Sequence, residues 1–69
     1  MSDKVYKLVE IVGTSPESFA KAASAGVERA SQTLHNVDWF EVTQMRGRVE
    51  NGKIAQYQVT MKVGFRLDD

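Results

Sequence analysis

The chain has no cysteine, one histidine, one proline and one tryptophan among its 69 residues, and its nine basic residues cancel its nine acidic ones. Each shortage closes off a class of protein. Without cysteine there is no disulfide framework, and His35 alone does not make a zinc site. A net charge of zero argues against non-specific nucleic-acid binding, which depends on neutralising phosphates with an excess of Lys and Arg. No apolar run approaches the roughly 20 residues of a membrane-spanning helix. The opening Met1-Ser2-Asp3-Lys4 lacks the apolar core of a secretory signal, so the cytoplasm is the expected compartment. A Gly-rich phosphate loop and a nucleophile elbow are also missing, which speaks against an enzyme.

A domain this short buries only about 60% of the surface its unfolded chain exposes. Chains of this size usually lean on disulfides, a metal or partner subunits. With the first two set aside, self-association is the expected stabiliser.

The composition is that of a globular domain, 42% hydrophobic and 26% charged. Lys4 to Val12 is rich in β-branched and aromatic residues and reads as a strand. Apolar residues on both of its faces predict cover on both. Ser15 is placed to cap a helix, Pro16 suits a first helical position, and Glu17 suits the first turn. Phe19, Ala22, Ala23, Gly26, Val27, Ala30 and Leu34 then recur at three- and four-residue steps, so a helix is expected from Pro16 to Leu34 with one buried stripe. His35 is expected to cap its C-terminus, where positive charge is favourable. After the loop 35–38, Trp39 to Glu50 reads as a long strand. Asn51-Gly52 is a strong type I′ hairpin signal, and Ile54 to Leu67 alternates cleanly as the return strand. The whole is an α+β domain of order β-α-β-β, a three-stranded antiparallel sheet packed on one helix, in a single domain covering 1–69.

A two-residue turn fixes the register. Phe40 is expected opposite Val63, Val42 opposite Met61 and Gln44 opposite Val59 on the helix face. Trp39 opposite Gly64, Glu41 opposite Lys62, Thr43 opposite Thr60 and Met45 opposite Gln58 fall on the other face. A strand from Trp39 to Glu50 spans roughly 40 Å, while the expected helix spans roughly 28 Å. The end of the hairpin is therefore left without cover from its own chain, and it is expected to enter a subunit interface. Trp39 lies on the face away from the core. With Gly64 leaving its indole face open, it is a natural stacking platform for a flat ring. On chemistry alone the more ordinary reading is an aromatic anchor filling an interface.

The segment Val37-Asp38-Trp39-Phe40-Glu41-Val42 resembles the characteristic segment of the dodecins, small flavin-binding proteins. Lys4-Val5-Tyr6-Lys7, Gly13-Thr14-Ser15, Arg46-Gly47, Tyr57-Gln58-Val59 and Val63-Gly64-Phe65-Arg66-Leu67 agree in the same order. The resemblance covers nearly the whole chain. It implies a hollow homododecamer that binds flavins at two-fold interfaces and quenches their excited state without turnover. The family's stacking tryptophan falls on Trp39, and the glutamine that meets the polar edge of the flavin falls on Gln58. A flavin-proximal arginine falls on Arg46, with Val37 and Asp38 alongside, and FMN is implied ahead of riboflavin or FAD. Some relatives also bind coenzyme A, for which Lys4, Tyr6, Arg29, Thr33 and Arg66 are the implied positions.

Physical reading leaves several alternatives open. In the regular register Trp39 and Gln58 stand six ladder positions apart, roughly 20 Å. One ring reaches both only if they come from different subunits or if a β-bulge, for which Gly47 is the candidate, shifts the strand. Arg46 falls on the core face opposite Tyr57, where cation–π contact is the alternative to a ligand role. Gln58 could be an ordinary solvated strand residue. The rival readings of function are a self-assembling structural module and, less well supported, a flavin-dependent reductase.

Overall fold

In the computed structural model, which describes residues 3–68, the β-branched run near the N-terminus forms strand β1 (Tyr6–Ser15). A helix, α1 (Phe19–Thr33), follows, and then a hairpin of two equal strands, β2 (Val37–Glu50) and β3 (Lys53–Arg66). The order is β-α-β-β. The strands lie β1-β3-β2 and are antiparallel throughout, so the return strand is the central one.

The central position of β3 explains its alternation. Val59, Met61 and Val63 are fully buried beneath α1 and make the heart of the core. The helix answers with small residues: Ala22, Gly26 and Ala30 form its buried line, flanked by Phe19, Ala23, Val27 and Leu34. Small residues let backbones approach. A Cβ on Gly13 of β1 would lie 2.1 Å from the Ala22 carbonyl oxygen, so α1 rests directly on the β1 backbone there.

The helix begins three residues later than the sequence suggests. Gly13, Thr14 and Ser15 continue the ladder opposite Val59, Gln58 and Tyr57, which carries β1 through the expected cap. Ser15 is buried and its Oγ accepts from the Glu17 N–H at 3.0 Å, holding the turn. Ser18 takes over as N-cap, its Oγ accepting from the Lys21 N–H at 3.0 Å. At the other end the cap is Leu34, whose N–H donates to the Ala30 carbonyl at 2.9 Å, rather than His35. The chain then reverses at Asn36 (φ 64°), whose amide donates to the Arg66 carbonyl and to Asp68.

At the hairpin tip, Asn51 (φ 51°) and Gly52 (φ 76°) both occupy the left-handed region and Glu50 pairs with Lys53, as a type I′ turn requires. From Trp39–Gly64 to Val42–Met61 the register is the expected one. Past Thr43 it changes. Thr43 is an extra residue on β2, so Gln44 pairs with Thr60, Met45 with Val59, Arg46 with Gln58 and Gly47 with Tyr57. The bulge is therefore at Thr43, not Gly47. A compensating irregularity at Ala55 on β3 restores the tip pairing, and Asp38 is extra between Val37–Phe65 and Trp39–Gly64. The cause lies in the hydrophobic spacing. Phe40 and Val42 are two apart, but the next apolar residue, Met45, is three further on. Only an extra residue keeps all three on the helix side.

The helix lies over β1 and β3 and barely reaches β2. A 15-residue helix is roughly 22 Å long, against 57 Å for the longest dimension of the chain. Phe40, Val42, Met45, Val49 and Ile54 are consequently exposed on the helix side of the sheet. Leu8 and Val12 are exposed on the opposite side, so within one chain β1 is covered on one face and not on both.

Candidate functional site

The sheet face away from α1 carries, from one end to the other, Tyr6, Trp39 and Gly64, then Glu10, Lys62 and Glu41, then Thr60 with Gln44, then Gln58 with Arg46. Trp39 starts from edge strand β2 and its indole lies down across Gly64 of the central strand. A Cβ on Gly64 would meet Cε2 and Cζ2 of the indole at 2.5 Å and Cη2 at 2.7 Å. From the opposite edge strand Tyr6 closes against the indole, ring centroids 4.9 Å apart and planes at 64°. The role of Gly64 thus differs from the expectation. It does not leave a gap beside the indole; it is the floor on which the indole lies. Trp39 itself is still 41% exposed.

Midway along the same face Arg46 and Gln58 stand opposite each other. This corrects the expected placement of Arg46 opposite Tyr57. The bulge at Thr43 turns Arg46 away from the helix side, and Tyr57 instead meets Phe19 edge-on at 4.9 Å. Arg46 Nη2 donates to Thr60 Oγ1 at 3.0 Å and to Gln44 Oε1. Thr43 Oγ1 donates to the Thr60 carbonyl at 3.2 Å, which closes the bulge. Gln58 is half-buried, its amide nitrogen donating to Gln56 Oε1 at 2.8 Å. Thr43, Gln44, Arg46 and Thr60 border an open cleft lined also by Glu10, Val12 and Lys62, and Gln58 is not part of its lining.

The bulge does not bring Trp39 to Gln58. Their positions on β3, 64 and 58, remain six residues apart, roughly 20 Å. Val37, also expected near a ligand, packs against the core cluster, whereas Asp38 is exposed at its irregularity. The five positions considered for coenzyme A fall in two places. Arg29 and Thr33, one helical turn apart, line a groove between α1 and β1 with Ile11, Gly13 and Gly26. Tyr6 and Arg66 face each other near Trp39, and Lys4 is exposed just before β1.

Sequence reasoning missed the contact of Tyr6 with Trp39 and the grouping of Thr43, Gln44 and Thr60 around Arg46. The step of three from Val42 to Met45 was the available signal for the second. Among the described residues, no group of three or more His, Asp or Glu side chains is placed to hold a metal ion, and no helix is long and apolar enough to cross a membrane.

Fold and site define a small β-α-β-β domain with one helix, an uncovered sheet face and an aromatic platform at the end of that face. The chain belongs to the dodecin family, whose model matches residues 5–68. It is 48% identical over 66 residues to a dodecin of Thermus thermophilus, covering 96% of each chain. The solved dodecin of Streptomyces davaonensis matches with a TM-score of 0.95 at 59% identity, over 99% of this chain and 100% of that one. A Mycobacterium tuberculosis relative, named calcium dodecin and described as having a calcium-binding site, matches with a TM-score of 0.81 at 34% identity, over 93% and 91% of the two chains.

Proposed function

We propose that this chain assembles into a homododecamer that stores flavin, FMN foremost, stacked on Trp39 at subunit interfaces, and that it does so as a binding protein without turnover. The observation that carries this reading is the indole of Trp39, laid on Gly64 and still 41% exposed. A fixed, half-open aromatic ring is a stacking surface, and stacked aromatic pairs contribute about 0.5–1.5 kcal/mol beyond the area they bury.

The residues suit an isoalloxazine ring. Gln58 carries both an amide donor and an acceptor, matching a ring edge of alternating N–H and C=O groups. Arg46 adds a fixed positive charge beside it. Because Trp39 and Gln58 of one chain stand roughly 20 Å apart, a single ring touches both only when two chains each supply one. This makes the pocket a product of assembly. The exposed apolar row Phe40, Val42, Met45, Val49 and Ile54 supplies a reason to assemble, since a contiguous apolar patch on a small domain marks an interface. An electron-rich indole against an excited flavin would quench it, and would block substrate from that ring face. A second ligand, coenzyme A, is favoured by the groove between α1 and β1, where Arg29 could meet phosphate.

Replacing Trp39 by Ala tests the reading. Titration with FMN should show quenching lost, while size-exclusion chromatography shows the same particle. An assembly that weakens with unchanged FMN binding would make Trp39 an interface anchor and overturn it.

A further inference from the structure

We infer that Tyr6 is a positioning residue that holds the indole of Trp39 flat and ready for a planar aromatic ligand, an inference that rests on the stacking role proposed for Trp39. The indole reaches from one edge strand across the central strand, and Tyr6 meets it from the other edge, at 4.9 Å and 64°. Gly64 supplies the floor beneath it. Trp39 nonetheless keeps 41% of its surface exposed. Without the Tyr6 ring the indole loses this edge contact and gains freedom to move about its side-chain torsions. A ligand stacking on such a ring would first have to order it. Immobilising a side chain at a binding surface is costly, and a ring ordered beforehand removes that cost from the binding step. Edge-to-face contact between aromatic rings supplies the ordering, and it needs the Tyr6 ring, not its hydroxyl.

The test compares Tyr6→Phe and Tyr6→Leu with the unaltered particle. Riboflavin is the probe, because without a phosphate its quenching reports the ring alone. Tyr6→Phe is expected to match the original in riboflavin affinity and in the near-ultraviolet circular dichroism of the indole. Tyr6→Leu is expected to keep the particle mass, lose much of the indole signal and bind riboflavin about three- to tenfold more weakly. Equal affinity and equal indole signal in Tyr6→Leu would overturn the inference, as would a Tyr6→Phe variant as weak as Tyr6→Leu. Time-resolved indole fluorescence anisotropy of the unaltered, ligand-free particle tests it with no substitution. Tumbling of the whole particle alone is expected, and fast independent swinging of the ring would overturn it. A particle that ignores riboflavin altogether would defeat the flavin reading, while the dichroism and anisotropy would still judge Tyr6.

Discussion

Alanine at position 64 is a small change with an unusually specific expected effect. In a strand interior, Gly→Ala ordinarily stabilises by roughly 0.5–1 kcal/mol, because glycine loses more backbone freedom on folding. Here the added methyl carbon would stand 2.5 Å from two indole carbons of Trp39. Carbon–carbon contact is optimal at about 3.5–4.0 Å, so the ring must withdraw by about 1 Å or more. Lifting it separates it from Tyr6 and forfeits an aromatic pair worth about 0.5–1.5 kcal/mol. The two effects nearly cancel in folding stability, and the unfolding midpoint should move little. Ligand binding has no such compensation. A platform that must be pressed back into place before stacking loses up to about tenfold in flavin affinity, since each 1.4 kcal/mol is a factor of ten. Riboflavin quenching gives the affinity, near-ultraviolet circular dichroism follows the indole, and native mass reports the particle. A Gly64→Ala particle with unchanged affinity and unchanged indole dichroism would refute the reasoning.

Two further glycines give contrasting outcomes. Gly13→Ala places its Cβ 2.1 Å from the Ala22 carbonyl oxygen, a backbone atom that cannot step aside, so the helix must lift from the sheet. Overpacking of this kind costs about 1–3 kcal/mol, and thermal unfolding at fixed protein concentration should fall by at least about 4 °C. Gly52→Ala meets no atom within 4 Å, yet φ is +76° there. Its cost is the backbone penalty alone, roughly 1–2 kcal/mol. Asn at the same position should recover part of the loss in the same unfolding measurement, because Asn tolerates the left-handed region.

How much was legible follows from what each feature depends on. The helix stripe from Phe19 to Leu34 and the alternation of Tyr57 to Leu67 are periodic, and the elements they imply are present. The turn at Asn51-Gly52 has local chemistry and fixed Glu50 opposite Lys53. The helix start was misplaced because Ser15 and Ser18 are equally good caps, and pairing of β1 with β3 decided between them. Arg46 was misplaced because a register counted from the turn assumes unbroken ladders. Two irregularities, at Thr43 and Ala55, cancel at the tip and at Trp39 but not between them. The platform was only half legible. Trp39 opposite Gly64 follows from counting, but Tyr6 meets the indole only through strand order β1-β3-β2, a long-range choice that no local pattern encodes.

The most direct trial is native mass spectrometry of the purified particle with its visible absorption spectrum, before and after adding FMN. A single species of twelve times the 7.7 kDa chain mass is expected, yellow when loaded, with flavin emission strongly quenched. A lone 7.7 kDa species, or a large particle that stays colourless in excess FMN, would contradict a pocket built from the indole of one chain and the amide of another.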